Sequence, residues 1–354
     1  MNITIPMLAL TPHGGGRVLV EIANALARRG DMVKVIVSNY RGSMPFVFDE
    51  RVQVKKIGPE SSSKLLCLIS FLILSPFYLA GSNIIANHFL TVPPSWVVQA
   101  LGGKYIYLVQ DIEHRFFTRA SQWPLRVLCN WTYRRGRLVA ANAYLAGQLS
   151  VYNQVLLTLR LGVSSIFFAH PAAQAVKRFD VVYFLRAQPH KRLDRFTTIL
   201  RQLAAKKIKV LCISQDKVLL EAFKGQAETL MPANDTQLVD AIDSGKIMLL
   251  TSEHEGFALP PLEGMARGLP AVMYECGGPG VYSTDGVNAF IVPGDGDEDV
   301  SAFAVVERIE RLLQSDTLLK DMSASARRVA DDFRLDQAVD DFVVYLARYF
   351  HDKR

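Results

Sequence analysis

A chain of 354 residues, half of them apolar and 21% charged, can build more than one core and is too apolar for a disordered polymer. It shows no tandem repeat, which excludes a solenoid. Charge is unevenly placed: residues 1–178 hold 19 Lys/Arg against 7 Asp/Glu, and the stretch between His114 and Phe179 holds nine basic residues and no acid. A basic half attracts phosphate-rich partners, so nucleic acid and an anionic membrane are the two candidates. Cys67, Cys129, Cys212 and Cys276 are far apart in apolar contexts, which suits a reduced, cytoplasmic protein and makes no metal-type pair.

The chain opens on an apolar strand over residues 2–9, with no basic leader of the signal-peptide kind. A glycine loop, Gly14-Gly15-Gly16, follows. Apolar residues at 18, 19, 22, 23 and 26 then give one helical face, Gly30 stops that helix, and Met32–Val37 forms the next strand. A glycine loop at the carboxyl end of a first strand lets backbone approach a phosphate, although a tight turn would use the same residues. Residues 65–80, LLCLISFLILSPFYLA, form the most apolar run and are short for a membrane span. They read as a buried helix packed on a sheet, or as a helix dipping into one leaflet. Asn83–Asn87 reads as a strand and the stretch around Pro94–Leu101 as a helix.

Lys104–Val109 is a further strand, and it emits Gln110-Asp111-Ile112-Glu113-His114 at its carboxyl end. Pro124–Arg137 is predicted helical. Leu125, Leu128, Cys129 and Thr132 share one side, and Arg126, Arg134 and Arg137 gather on another. Such a helix is a solvated surface or, with Trp123, Trp131 and Tyr133 at hand, a membrane-surface element. No nucleic-acid module is present in the pattern, so nucleic acid is not the expected partner. Leu138–Leu145 is read as another strand. A fresh sheet begins with Asp180–Leu185 and ends in Arg186-Ala187-Gln188-Pro189-His190-Lys191-Arg192. Lys209–Ser214 is its next strand, and Asn234 or Asp235 caps a following helix.

After the apolar run Ile247–Leu250 comes Ser252-Glu253-His254-Glu255-Gly256-Phe257-Ala258-Leu259-Pro260-Pro261-Leu262-Glu263. The prolines suit a loop and a first helical turn, where a missing N–H costs little. The helix expected over Pro261–Arg267 would offer free N–H groups and a positive dipole end to a phosphate. Gly277–Gly280 forms another glycine turn. Asp295-Gly296-Asp297 has the form of a metal-binding pair but better suits the start of a helix over Val300–Leu313.

The stretch Ser252–Glu263 resembles the signature of family 4 glycosyltransferases, S-x-x-E-G-F-G-L-P-x-L-E, with Ala258 where the pattern has its second glycine. Arg186 to Lys191 is similar to that family's G-R-x-x-x-x-K-G element, with Arg192 in place of the last glycine. YLVQDIEHRFF is similar to a rhamnosyltransferase branch, and Gln110-Asp111 stands where many members carry His-Asp. The resemblance implies an α/β fold of GT-B type: two Rossmann-like doubly wound domains facing a cleft. The implied division is residues 1–172 on the acceptor side, 173–335 binding the nucleotide sugar, and a helix over 336–354 crossing back to the first domain.

The resemblance also implies roles. Arg186 and Lys191 stabilise the departing diphosphate, which fits the rule that fixed cations favour developing negative charge. Glu255 contacts the transferred sugar. Backbone near Phe257, Ala258 and Leu259 holds phosphate, and Glu263 holds the ribose. Gly15 and Gly16 close over the phosphates, while Asp111 and His114 are the nearest groups for positioning an acceptor. The implied reaction is metal-independent transfer of a sugar, with retention, from a nucleotide-diphosphate donor to an acceptor hydroxyl, with no cofactor. A glycan on a lipid carrier in bacterial surface polysaccharide assembly is the expected acceptor. The basic half would contact an anionic membrane, at the cytoplasmic face of the inner membrane. A sugar-nucleotide epimerase and a non-catalytic membrane-docked subunit are the alternatives.

Overall fold

The computed structural model describes residues 1–10, 14–40, 47–169, 176–294 and 296–351. The chain divides into two units. One combines Met1–Leu161 with Asp336–Arg354, and the other is Gly162–Leu335. The expected boundary near residue 172 and Asp295 of the DxD-like stretch fall outside the described residues.

The first unit is built on β1 (Asn2–Met7), α1 (Gly14–Arg28), β2 (Met32–Tyr40), β3 (Val52–Ser61), α2 (Lys64–Leu79), β4 (Asn83–Ala86), α3 (Val92–Ala100), β5 (Tyr105–Val109), α4 (Trp123–Arg135), β6 (Leu138–Ala140), α5 (Ala143–Leu149) and β7 (Val155–Thr158). Its sheet is parallel, in the order β3-β2-β1-β4-β5-β6-β7. Every residue of the YIYLV strand β5 is buried, as a parallel sheet covered on both faces requires.

Four local readings are corrected here. Gly14–Gly16 is not a loop but the first turn of α1. The expected strand Leu138–Leu145 stops at Ala140, because the Asn142 side chain accepts from Leu145 N at 2.9 Å and caps α5. Leu125 faces outward on α4, where Cys129, Thr132 and Tyr133 are the buried residues. The run 65–80 is a helix with one buried row, Cys67, Phe71, Ser75 and Leu79, and an outer side that stays exposed.

The second unit runs β8 (Val181–Phe184), α6 (Leu193–Ala205), β9 (Val210–Ile213), α7 (Lys217–Phe223), β10 (Glu228–Leu230), α8 (Asp235–Asp243), β11 (Ile247–Leu250), α9 (Leu259–Ala266), β12 (Ala271–Tyr274), β13 (Ala289–Val292), α10 (Glu298–Leu313) and α11 (Asp316–Asp331). Its sheet is also parallel, ordered β10-β9-β8-β11-β12-β13. Asn234 caps α8 through Gln237 N, and Asp297 caps α10 through Asp299 N, as the sequence led one to expect. The two ends of this unit run side by side: Val163 N donates to Phe333 O and Leu335 N to Val163 O, both at 2.9 Å. A Cβ on Gly162 would sit 1.8 Å from Phe333 O, so only glycine fits that crossing.

A last helix, α12 (Leu335–His351), belongs from Asp336 onward to the first unit. It is fixed there by Arg29 to Val343 O, Lys104 to Tyr349 O and the Tyr349 hydroxyl to Tyr105 O. In both sheets the strand order reverses beside the first strand, between β1 and β4 and between β8 and β11. Ligands of doubly wound sheets bind at the carboxyl ends of strands at such switch points.

Candidate functional site

The second unit gathers most of the sequence-derived residues at its switch point. After β8 the chain passes Arg186 and makes a short turn over Pro189–Lys191. Arg192 then takes a left-handed conformation, φ 52° and ψ 59°, before α6 begins. This is why a glycine suits the position. Here Arg192 holds it with its guanidinium engaged by Asp194 and Glu298.

The neighbouring strand β11 delivers Thr251–Ala258, and the two loops lock together. Glu253 N donates to His190 O at 2.8 Å, and the Thr251 hydroxyl donates to Lys191 O at 2.9 Å. His190 stacks on His254, with ring centroids 4.9 Å apart. Burial, reinforced by the Lys191 charge, holds the His190 imidazole down at about 4, so it is neutral at pH 7.

The central contact is Lys191 Nζ donating to Glu255 Oε1 at 2.6 Å, and the Ser252 hydroxyl donates to the same oxygen at 2.6 Å. Glu255 is buried and Lys191 is partly open. The Glu255 backbone is gripped by the glycine turn: its N–H donates to Cys276 O at 2.8 Å, and Gly278 N donates to its carbonyl at 2.9 Å. A Cβ on Gly278 would meet Gly256 C at 2.3 Å and Phe257 N at 2.5 Å, so the turn and the signature loop touch backbone to backbone.

Ala258 precedes α9 at φ 59° and ψ 90°, with its carbonyl accepting from the Tyr282 hydroxyl at 2.6 Å. No side chain caps α9, and two prolines, Pro260 and Pro261, lie in its first turn. Of its first three positions only Leu259 keeps an N–H, and no side chain caps it, an arrangement that suits an anion. Glu263 lies one turn into α9, close enough to act electrostatically on Arg186. Burial lowers Arg186 from its ordinary value and the Glu263 charge opposes that shift. A guanidinium stays charged through any physiological range. The second unit therefore brings Arg186, Lys191, Glu255, Phe257, Ala258, Leu259 and Glu263 to two adjoining loops and one helix start.

The first unit holds the other four residues. Gly15 and Gly16 lie in the first turn of α1, and Gln110 Nε2 donates to Gly15 O at 3.3 Å. Gln110 thus ties the loop after β5 to the start of α1. In the sequence reading it figured only where a histidine is more usual. Asp111 accepts from Ile112 N at 2.7 Å in the same loop. His114 turns away into aromatic packing, its ring centroid 6.2 Å from Tyr133 and 6.1 Å from Tyr152, and burial lowers its imidazole.

The residue without an assigned role was Glu113. It is buried, accepts from Phe89 N at 3.1 Å, and is hydrogen-bonded to the Tyr107 hydroxyl. Burial raises its carboxyl to about 8. Its one sequence signal is an acid directly after an all-apolar strand and a short loop. Among the described residues, no group of three or more His, Cys, Asp or Glu is arranged to hold a metal ion.

Two parallel Rossmann-like sheets, each with helices and each with a loop cluster at its switch point, define the GT-B class of α/β proteins. Residues 168–329, which lie within the second unit, match the family model "Glycosyl transferases group 1".

Solved structures share the fold over the whole chain. The sucrose-phosphate synthase of Thermosynechococcus elongatus superimposes with a TM-score of 0.83 at 14% identity, covering 99% of both chains. WaaG, a glycosyltransferase involved in lipopolysaccharide biosynthesis, gives 0.76 at 13%, covering 97% and 99%. Anabaena HepE, solved with UDP and glucose, gives 0.75 at 18%, covering 98% and 99%. A D-inositol 3-phosphate glycosyltransferase of Streptomyces bingchenggensis is 29% identical over 107 residues, 30% of this chain and 22% of that protein. A Rhodococcus erythropolis counterpart is 28% identical over 115 residues, 32% and 25%. The chain thus matches about a quarter of the length of these curated relatives.

Proposed function

We propose that the protein transfers a sugar from a nucleotide-diphosphate sugar to an acceptor hydroxyl. The observation that carries this reading is the convergence of Lys191, Glu255 and the uncapped start of α9 at one switch point, with Arg186 beside Glu263. The donor diphosphate would lie between the two cations and the backbone N–H groups of Phe257, Ala258 and Leu259. Glu263 would accept from ribose hydroxyls and Glu255 from hydroxyls of the sugar.

In the reaction the bond from the anomeric carbon to the diphosphate oxygen breaks, and the electron pair leaves with the diphosphate. Arg186 and Lys191 stabilise that charge as it grows. The acceptor oxygen bonds to the anomeric carbon and its proton passes to the departing phosphate, so no separate protein base is needed. The resemblance to retaining family 4 enzymes supports the same anomer in the product, and the residues named require no metal or other cofactor.

On the first unit, Asp111 follows the end of β5 and is proposed to position the acceptor, while Gly15 and Gly16, in the first turn of α1, keep the phosphate role that the resemblance implies. His114 is the weaker choice, because its ring is committed to Tyr133 and Tyr152. The acid-free basic stretch after His114 favours an acceptor carried on an anionic lipid, such as a growing bacterial surface glycan, at the cytoplasmic face of the membrane. The rhamnosyl sub-assignment is the donor-sugar expectation, and it rests on the Gln110-Asp111-Ile112-Glu113 stretch.

A thermal-shift panel of nucleoside diphosphates and their sugars, run in EDTA, tests the donor site. The reading predicts a rise in Tm with one base, larger for one of its sugars. A folded sample that responds to none of them would refute it. Accumulation of an epimerised sugar nucleotide without acceptor would favour the epimerase instead.

A further inference from the structure

The first unit carries an apolar surface that its fold leaves uncovered. In α2 the buried row Cys67, Phe71, Ser75, Leu79 repeats every fourth residue. A second row, Leu65, Ile69, Ile73 and Phe77, has the same spacing and is displaced by two residues, about 200° around the helix. The outer row is open: Leu65 is 66% exposed, Ile73 63% and Phe77 78%. Between Lys64 and Asp111 the chain carries one charged residue, Lys104. A globular helix normally turns polar residues outward, so a four-turn apolar outer row calls for a partner. At 16 residues α2 is about 24 Å long, short of a hydrocarbon core of about 30 Å. Among the described residues no helix is long and apolar enough to cross a membrane.

The neighbouring helices extend this surface. From β3 to β4, β4 to β5 and β5 to β6 the chain steps across the sheet in one direction, so right-handed connections put α2, α3 and α4 on one face. Trp96 of α3 meets Trp131 of α4 edge-on, with ring centroids 4.5 Å apart, which fixes the two helices side by side. On α4, Trp123 and Val127 are exposed next to Arg126, and Trp131 lies one turn from exposed Arg134 and Arg135. Tryptophan and arginine on an apolar helix layer match a bilayer boundary, where indoles sit at headgroup depth and cations meet lipid phosphates.

We propose that the α2–α3–α4 layer docks on an anionic lipid bilayer, with the outer row of α2 inserted at the acyl boundary and the α4 arginines on the headgroups. The surface is read independently of the donor site. Its use, reaching a lipid-held acceptor, rests on the function proposed above. A second copy of this chain fits less well, because a two-fold interface on this layer would set the α4 arginines of both copies against one another.

Flotation of the full chain with vesicles of phosphatidylethanolamine and phosphatidylglycerol, against pure phosphatidylcholine, tests the proposal. Wild type should float with the anionic vesicles. I73Q/F77Q should lower partitioning at least about tenfold even at low salt, because two exposed apolar side chains are lost. R126Q/R134Q should lower it about fivefold per arginine and flatten its salt dependence. Both variants change exposed residues, so their Tm and their nucleotide response should match wild type. The proposal is overturned if wild type stays unbound or if I73Q/F77Q floats like wild type. It is also overturned if sedimentation shows a wild-type dimer that I73Q/F77Q converts to monomer. Flotation that persists while every nucleotide response is absent would instead strike the donor-site reading alone.

Discussion

The pair Lys191–Glu255 allows a test that separates phosphate binding from sugar binding. In the unliganded protein Glu255 Oε1 is the anion that Lys191 faces, at 2.6 Å. A bound diphosphate must compete for that ammonium. A hydrogen bond to a charged group contributes about 1.5–3 kcal/mol. Because Lys191 exchanges one anion for another, the lower figure applies to the net gain. Lys191→Met should therefore weaken nucleoside diphosphate binding about tenfold, 1.4 kcal/mol being one decade. It should also lower Tm, since Glu255 is left buried with only the Ser252 hydroxyl.

Glu255→Gln keeps an acceptor for Ser252 and removes the charge that holds Lys191. Nucleoside diphosphate should then bind as well as in wild type or up to about tenfold more tightly, while the added gain from the attached sugar should shrink. Titration calorimetry of both variants with the nucleotide and its sugar reads all four constants. If Glu255→Gln weakens nucleoside diphosphate binding as much as Lys191→Met does, Glu255 belongs to the phosphate site and the division of roles is wrong.

Further outcomes follow from backbone and burial. Ala258 at φ 59° carries a cost of about 1 kcal/mol or more that glycine would not. Ala258→Gly should thus be neutral or stabilising by up to about 1 kcal/mol in urea unfolding, whereas Ala324→Gly, exposed within α11, should lose about 1 kcal/mol. Equal losses would show that Ala258 is unstrained. Gly278→Ala places a Cβ 2.3 Å from backbone of the signature loop, and neither side can yield. It should cost about 1–3 kcal/mol and weaken nucleotide binding, and an unchanged Tm would rule out the contact.

Glu113 gives a pH dependence. Its carboxyl is raised from 4.5 to about 8, so between those values the folded chain keeps a proton that the unfolded chain has released. Stability should fall as pH rises through that window, by at most about 1.4 kcal/mol per unit. Glu113→Gln should flatten this component of the Tm profile, and parallel profiles for the two proteins would contradict the assignment.

Much of the fold was legible because local pattern and final structure agree. The strand YIYLV, the caps Asn234 and Asp297 and the signature loop all announce themselves within a few residues. The failures have local causes as well. β3 carries Lys55, Lys56, Gly58 and Pro59, since an edge strand is paired on one side only and tolerates polar and bent positions. In Leu138–Leu145 the apolar run hid the Asn142 cap that splits a strand from a helix. The residue types of the candidate site were visible, but their partners were not. Lys191 and Glu255 are 64 positions apart, and Gln110 and Gly15 are 95 apart. Only the strand orders, with β8 beside β11 and β1 two places from β5, bring their loops near one another.

The most direct test of the proposed activity is acceptor-dependent release of nucleoside diphosphate from a panel of sugar nucleotides, measured in EDTA with a membrane-lipid glycan fraction. The account predicts release from one donor. It should fall at least about a hundredfold in R186M/K191M, where two contacts to the leaving group are gone. Acceptor-dependent release that survives this double substitution, or no release from any donor by a protein that binds nucleotide, would contradict it.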